Sequence, residues 1–258
     1  MSSIFITGSA QGIGHETARV LIEAGHRVVA HARDEGRATA LRASLPGAAA
    51  VLVGDLASLE GTRALAMAAA EAGPFDTVIH NAGVGGGASR RVVTTDGLGQ
   101  VFQVNVVAPY LLTALLPRPA RLVYLTSGLE SEGRLDFDDL TFEKRVWDGM
   151  QAYSDSKLMD VVLAFAVARM WPDTVVSAVD PGWVRTRLGG PNATDALPDG
   201  AETQVWLASS DEPEALATGR YLKHRVSLQA NPAAYDPGVQ ERLLAVLAEA
   251  TGEVVTTS

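Results

Sequence analysis

The chain has 258 residues, 47% of them apolar, and a net charge of −9 at pH 7. That size and composition suit one large domain with a substantial core, and the negative balance argues against nucleic acid or an acidic membrane surface as a partner. There is no Cys, which excludes disulfides and thiol chemistry. Five scattered His without a His-Glu-x-x-His spacing point to no metal site.

Residues 3–7 read as a short apolar strand. The turn Thr7-Gly8-Ser9-Ala10-Gln11-Gly12-Ile13-Gly14 follows, then a helix to Ala24 closed by Gly25. Strand, glycine-rich turn and helix are the context in which backbone can approach a pyrophosphate at a helix N-terminus, although the same glycines could serve only to turn the chain. The pattern then alternates: strand 27–31, helix 35–44, strand 49–53, helix 58–73, strand 75–79. Such alternation predicts a parallel sheet covered on both faces. Asp55 follows the third strand, and Asn81-Ala82-Gly83 follows the fourth. Ligands of open α/β sheets sit outside the carboxyl ends of the strands, so both positions suit a nucleotide, and turn chemistry alone would also explain them.

Residues 84–97 read as a Gly- and Arg-rich loop, and 94–116 as a long helix containing Asn105. Within it 101–116 is the longest apolar-rich run, and at that length, interrupted by Gln103, Asn105 and Pro109, it does not span a bilayer. A tight Pro117-Arg118-Pro119 connection leads to a fifth strand, 121–126, ending at Ser127-Gly128. Residues 129–150 form a polar insertion with Phe137, Phe142 and Trp147. A helix around Tyr153, a strand at 174–179 and a loop at 183–199 follow. A helix at 200–208, a strand at 219–223 and a helix at 237–250 close the fold, and 251–258 is expected to fray. The expectation is one α/β domain over 1–258, a Rossmann-type doubly wound sheet of about seven mostly parallel strands. With no basic start and apolar stretch ahead of Gly8, the expected location is cytoplasmic.

The segment Tyr153-Ser154-Asp155-Ser156-Lys157 opens the apolar run 158–171. Positions four apart share a helix face, so the ammonium of Lys157 comes near the phenol of Tyr153. A nearby positive charge favours a phenolate, which suits a group that gives or takes a proton when a carbonyl is reduced or an alcohol oxidised. The 21 basic side chains include only Lys144, Lys157 and Lys223 as lysines, so eighteen are Arg. A compact ammonium stands at 157 in a chain that otherwise prefers Arg.

Together these residues resemble the short-chain dehydrogenase/reductase family over nearly the whole chain. The turn from Gly8 to Gly14 resembles its cofactor turn, and Asn81-Ala82-Gly83 its fourth-strand motif. Asn105, Ser127, Tyr153 and Lys157 match its four catalytic positions in order. Pro181-Gly182-Trp183-Val184-Arg185-Thr186 resembles its Pro-Gly-x-Val-x-Thr segment. The stretch from Phe142 to Tyr153 is similar to the retinol-dehydrogenase-like and protochlorophyllide-reductase-like branch.

The resemblance implies an oxidoreductase that moves hydride between nicotinamide and a carbonyl or alcohol. Ser127 would bond the carbonyl oxygen, and Tyr153 would act as general acid or base. Lys157 would hold the cofactor ribose, and Asn105 a water linked to it. Gly8, Ser9, Gly12, Ile13 and Gly14 would meet the pyrophosphate. Asp55 and Leu56 would meet the adenine, and Asn81, Ala82 and Gly83 the ribose side. Pro181, Gly182, Val184 and Thr186 would bracket the nicotinamide. The second strand ends at Ala32-Arg33 without a carboxylate, so Arg33 is placed for the phosphate of NADP(H), with residual use of NAD(H). Asp34 and Glu35 lie where they could cap the next helix. Trp147, Met150, Phe137 and Leu188 line an apolar pocket mouth or belong to a satellite core, and Trp183 touches substrate or packs under its loop. The implied partner is a small-molecule carbonyl or alcohol, an apolar one if those residues line the mouth. The Tyr153 helix and its neighbour would supply the family's usual interface, and the Pro-braced turn after Leu116 favours a homodimer or monomer over a tetramer. Other readings are a cofactor-binding sensor or scaffold without turnover, which has no need of the Tyr–Lys pair, and a sugar-nucleotide epimerase, for which little chain remains after residue 200.

Overall fold

The computed structural model describes residues 1–85 and 87–257. Parts of the loop reading for 84–97 and of the tail reading for 251–258 therefore fall on residues 86 and 258, outside the described residues.

Seven apolar runs pair in parallel: β1 (Ser3–Ile6), β2 (Arg27–Ala32), β3 (Ala50–Val53), β4 (Thr77–His80), β5 (Arg121–Leu125), β6 (Val175–Val179) and β7 (Arg220–Lys223). An eighth strand, β8 (Val226–Leu228), returns antiparallel beside β7. The order across the sheet is β3-β2-β1-β4-β5-β6-β7-β8. The chain steps outward through three strands and then crosses back to β4. β1 and β4 are thus the neighbours from which connections leave in opposite directions, and a crevice forms beyond their carboxyl ends.

Residues two apart on a strand share a face, which divides the core in two. Phe5, Val29, Val78, Leu122, Tyr124 and Val176 pack on one side. Ile4, Ile6, Val28, Ala30, Ile79, Val123 and Val179 pack on the other. The second side is covered by α1 (Gly12–Glu23), α2 (Glu35–Ser44) and α7 (Leu197–Ser209). Asp34 caps α2 by accepting from the backbone N–H of Arg37 at 2.9 Å. The first side carries α3 (Leu59–Ala72), α4 (Gln100–Phe102), α5 (Ala108–Leu115), α6 (Gly149–Met170) and α8 (Pro237–Thr251). Among the described residues no helix is long and apolar enough to cross a membrane.

Four features depart from the sequence expectations. The helix expected from residue 94 begins at Gln100, and between α4 and α5 it widens to a π turn, Gln103–Val107. β8 is an added strand; it is wholly exposed, and its three residues, Val-Ser-Leu, are too short an alternation to announce a strand. The insertion at 129–150 opens with a 3₁₀ turn, Gly128–Glu132, and then folds around Asp139. The Asp139 carboxylate accepts from the backbone of Glu143, Lys144 and Arg145 at 2.6, 3.1 and 2.9 Å. Finally, the tail through residue 257 is tied down where fraying was expected. Val255 is buried, the Glu253 carbonyl accepts from Tyr110, and the Thr256 carbonyl accepts from Trp171 Nε1 at 2.7 Å. α8 packs on α6, and the tail is bonded to Tyr110 of α5 and to Trp171 at the end of α6.

Candidate active site

The crevice beyond β1 and β4 is a cleft of about 710 Å³, within the range of small-molecule and cofactor sites. Its first wall is the turn between β1 and α1. Gly8 (φ +68°) and Gly12 (φ +62°) take the left-handed backbone that side chains resist. At Gly14 an added Cβ would lie 2.2 Å from Asn81 Nδ2 and 2.6 Å from the Gly8 carbonyl oxygen, so the turn closes only around glycine. Gln11 precedes α1 without a side-chain cap. The first N–H groups of α1 therefore lie open to the cleft that Gln11, Gly12, Ile13 and Gly14 line.

Three side chains hold that turn. Asn81 Nδ2 donates to the carbonyls of Thr7 at 2.8 Å and Gly8 at 3.1 Å. The Thr7 hydroxyl accepts from the backbone of Asn81 and Ala82 at 3.0 and 3.1 Å. Ser9 is fully buried and spends its hydroxyl on the Ile6 carbonyl at 2.7 Å, so it braces the turn without facing the cleft. His31, which the sequence reading passed over, ties three strand ends together. Its Nδ1 accepts from the Gly8 N–H at 2.9 Å, and its Nε2 lies 2.8 Å from the Gly54 carbonyl. A backbone N–H only donates, so the ring is neutral with its proton on Nε2. Burial lowers the affinity of this ring for a second proton, opposed by the Gly54 carbonyl and Asp55.

At the end of β2, Arg33 and Arg37 both line the cleft, and both reach the Asp34 carboxylate, at 3.4 and 2.5 Å. Asp55 and Leu56 line the adjacent wall. Arg185 and Arg187 line the far side with Pro181, Thr186 and Leu188. Five cationic side chains (Arg33, Arg37, Lys157, Arg185, Arg187) thus face one carboxylate, Asp55, in a chain of net charge −9. A cation-rich cleft with open helix N–H groups fits a dinucleotide carrying phosphates.

The floor is built by α6. Asp148 caps it, accepting from the backbone of Met150 and Gln151 at 2.9 and 3.0 Å. Tyr153 and Lys157 stand on one face as the i,i+4 spacing requires, with Lys157 Nζ 5.8 Å from the Tyr153 ring centre. Lys157 is buried; it donates to the Leu125 carbonyl at 2.9 Å and to Asp160 Oδ2 at 2.8 Å. Asp160 is the second residue that the sequence reading missed, and its spacing of three from Lys157 on one helix was the available signal. Burial alone would lower the pKa of Lys157, but Asp160 and Tyr153 more than offset this and raise it. Asp160 itself is pushed up to about 6 by burial, against the pull of Lys157. Both values rise, which favours the charged form of Lys157 and the neutral form of Asp160, because burial outweighs the pull of the partner only at Asp160. The 2.8 Å contact makes the ionised pair the state at neutral pH.

Asn105 sits in the π turn and is buried. It bonds Val84 in both directions, accepting from its N–H at 2.8 Å and donating to its carbonyl at 2.9 Å, and it donates to Ser156 Oγ at 2.9 Å. An added Cβ at Gly83 would sit 3.6 Å from both Asn105 Oδ1 and Lys157 Nζ, which puts the two polar groups side by side under the strand-four motif. Ser127 lies at the end of β5 and caps the 3₁₀ turn, its Oγ accepting from Leu129 N at 3.3 Å. Ser127, Asn105, Gly182 and Val184 stand behind the cleft wall, whereas Tyr153, Lys157, Gly83, Pro181 and Thr186 line it. Gly182 abuts Asp195, and Val184 is buried against Gly200.

The four residues of the expected apolar mouth separate. Leu188 lines the cleft, and Phe137 packs on the main core beneath Arg242. Trp147 donates to the Ala88 carbonyl at 2.8 Å and meets the Phe142 ring edge-on, fastening the insertion to the 84–97 loop. Met150 is exposed beside it. Trp183 is pinned to its own loop, its indole N–H donating to the Gly189 carbonyl at 2.9 Å.

Residues 2–196 match the short chain dehydrogenase family. The uncharacterized oxidoreductase AN7799 of Emericella nidulans is 42% identical, over 98% of this chain and 98% of its own length. Among solved structures, one from Mycobacterium paratuberculosis superposes with a TM-score of 0.85 at 26% identity, covering 99% of this chain and 95% of the other. The Pseudomonas aeruginosa RhlG/NADP active-site complex superposes with a TM-score of 0.66 at 25% identity, covering 86% and 94%.

The His31 geometry has a consequence for pH. A buried histidine with lowered pKa contributes stability that is present above the usual value of about 6.5 and lost as pH falls below it. The melting temperature should therefore drop from pH 7 to pH 5, and the drop should be smaller in His31→Asn. Equal acid slopes in the two proteins would show that the ring takes up its proton at no cost.

Proposed function

The chain belongs to the short-chain dehydrogenase/reductase family of enzymes, and from that premise we propose that it is an NADP(H)-dependent reductase of ketones or aldehydes that can run in reverse as an alcohol dehydrogenase. The observation that carries this reading is the buried Lys157 ammonium beside Tyr153 on the floor of a cation-rich cleft. An enzyme that only bound a dinucleotide would have no use for that pair, which disfavours the sensor reading. We infer further that the chain acts as one unit over 1–258 and works in the cytoplasm.

A nicotinamide dinucleotide supplies or accepts the hydride when bound. The chain's own residues do the rest. The turn at Gly8, Gly12, Ile13 and Gly14 and the N-terminus of α1 hold the diphosphate. Asp55, Leu56, Ala82 and Gly83 flank the adenosine and ribose, and Pro181 and Thr186 flank the nicotinamide side. Tyr153 delivers a proton to the substrate oxygen, or removes it in reverse. Lys157 keeps one N–H for a ribose hydroxyl after Leu125 and Asp160 have taken two. Ser127 is proposed to turn its hydroxyl from its cap to the substrate oxygen. Asn105 orders the path behind Lys157. Leu188 and Val104 give the substrate end of the cleft an apolar wall, which suits an apolar carbonyl compound.

Tyr153→Phe should lower turnover about 10²–10⁴-fold, the usual worth of a proton-transfer group, while cofactor affinity stays near wild type. Activity within a few-fold of wild type on a carbonyl panel would remove Tyr153 from the chemistry.

Cofactor preference rests on Arg33, supported by the neighbouring Arg37. The Asp34 carboxylate that binds both holds them in place and is itself engaged at the start of α2. A charge-assisted phosphate contact is worth about 1.5–3 kcal/mol, so Arg33→Ala should raise the KM for NADPH about tenfold or more. The KM for NADH should hardly move. Equal losses for both cofactors, or a wild-type preference for NADH, would show that Arg33 does not read the phosphate.

For association, we propose a monomer or homodimer. α8 and the tied-down tail lie over α5 and α6, the helices that the family resemblance assigns to pairing. Light scattering at micromolar protein should give one or two chains per particle, and a tetrameric mass would reject the proposal.

A further inference from the structure

Lys157 and Asp160 form the most completely buried ion pair in the described structure, with side-chain exposures of 5% and 3%. A buried charge is tolerated only when it is paired and hydrogen-bonded. Lys157 meets that condition through Leu125 and Asp160, whereas Asp160 meets half of it, since Oδ1 is orphaned. An Asn or Gln here would have given Lys157 an oxygen but no counter-charge, so the carboxylate keeps the buried ammonium paired, while its own Oδ1 stays without a partner. The other titratable groups near the pair are neutral. Tyr124 of β5 has its hydroxyl pushed up by burial, with Asp160 adding to the rise. His80 of β4, tilted against the Tyr124 ring, is held down to about 3 by burial. On α6 itself Tyr153 is the remaining titratable neighbour. The Asp160 charge therefore acts on Lys157 and, through it, on Tyr153.

We propose that Asp160 is a positioning residue for Lys157, one that fixes its ammonium under the cleft and offsets its charge, so that Tyr153 serves carbonyl reduction at neutral pH. This rests on the reductase reading above. A lone ammonium would favour the Tyr153 phenolate, the form that takes a proton from an alcohol. An ammonium paired with a carboxylate favours it less and leaves the phenol its proton to give. The pair also uses two of the three N–H donors of Lys157, which aims the third at the cleft. No bond changes at Asp160; its part is electrostatic and geometric.

Asp160→Asn tests this, because it keeps an amide oxygen for Lys157 and removes only the charge. Alcohol oxidation with NADP⁺ is followed against pH in both proteins, using an alcohol that the wild type turns over. The midpoint of the rate profile should fall by about one pH unit in Asp160→Asn, the low end of what a neighbouring charge does. Oxidation at pH 7 should rise several-fold, with the NADP⁺ Kd within about threefold of wild type. Asp160→Ala also removes the oxygen and should in addition weaken NADP⁺ binding about tenfold, the loss expected for a misplaced charged donor. An unchanged or raised midpoint in Asp160→Asn overturns the proposal. A second readout needs no turnover. With only three lysines in the chain, [13Cε]lysine labelling gives three signals, and Lys144→Arg and Lys223→Arg variants identify that of Lys157. Its titration should begin at lower pH in Asp160→Asn, and identical curves overturn the pairing. A shifted lysine titration together with a wild type that reduces no carbonyl would instead overturn the reductase reading, and with it the catalytic consequence of the pair.

Discussion

Much of the site follows from burying one ammonium at the carboxyl edge of a parallel sheet. Lys157 has no bulk water to solvate it, so backbone and side chains must supply the oxygens. The Leu125 carbonyl is available because β5 ends there, and Thr126 turns back to donate its hydroxyl to the Lys157 carbonyl at 2.6 Å. That contact fastens α6 to the strand end it must underlie. Asp160 supplies the counter-charge one turn further along α6. The π turn in the preceding helix sets Asn105 where its amide can bond both Val84 and Ser156, the residue before Lys157. π turns of this kind are frequent at functional sites. Asp160, the end of β5 and the π turn therefore answer one electrostatic demand.

The glycine turn is governed by a second demand, close approach. The backbone can come near an anionic ligand only where no Cβ intervenes, and a turn so stripped of side chains has to be held from behind. Asn81, Thr7, Ser9 and His31 do this from β4, β1 and β2, each spending its polar atoms on the backbone of the turn or of the strand ends beside it. The strand-four Asn is thus read more directly as a clamp on the turn than as a hand on the ligand. It also explains why β1 and β4 must be neighbours: the clamp is only as long as an Asn side chain.

The fold was legible because its two periods are strong. Buried parallel strands read as apolar runs, and the helices between them carry caps such as Asp34 and Ser58 that the sequence displays. Tyr153 and Lys157 were legible for the same reason, since four residues on a helix make a face. What escaped was tertiary. Nothing local distinguishes His31 within β2 from any other strand residue, and its role appears only when Gly8 and Gly54 are brought to its two nitrogens. The tail was expected to fray as chain ends do, yet it is backbone carbonyls at 253 and 256 that Tyr110 and Trp171 seek. Side-chain identity says little about where a carbonyl will be needed. The edge strand β8 is exposed throughout, and the three residues of its Val-Ser-Leu alternation were too few to read.

The division of labour between arginine and lysine completes the argument. At the cleft wall Arg33, Arg37, Arg185 and Arg187 present planar, permanently charged forks, suited to phosphate oxygens in a partly hydrated setting. The floor needs something else: a compact group with three tetrahedral donors that can divide its bonds between the protein and a ligand. A guanidinium spreads its donors over a flat fork, whereas the Lys157 ammonium reaches Leu125 O at 2.9 Å and Asp160 Oδ2 at 2.8 Å from one atom. Asp55 is the one carboxylate among the lining residues of the cleft, although Asp34 and Asp160 pair with Arg33, Arg37 and Lys157 from behind, and the excess of cations at the wall suits an anion. An acidic protein can in this way hold an anionic cofactor site without becoming a general binder of anions.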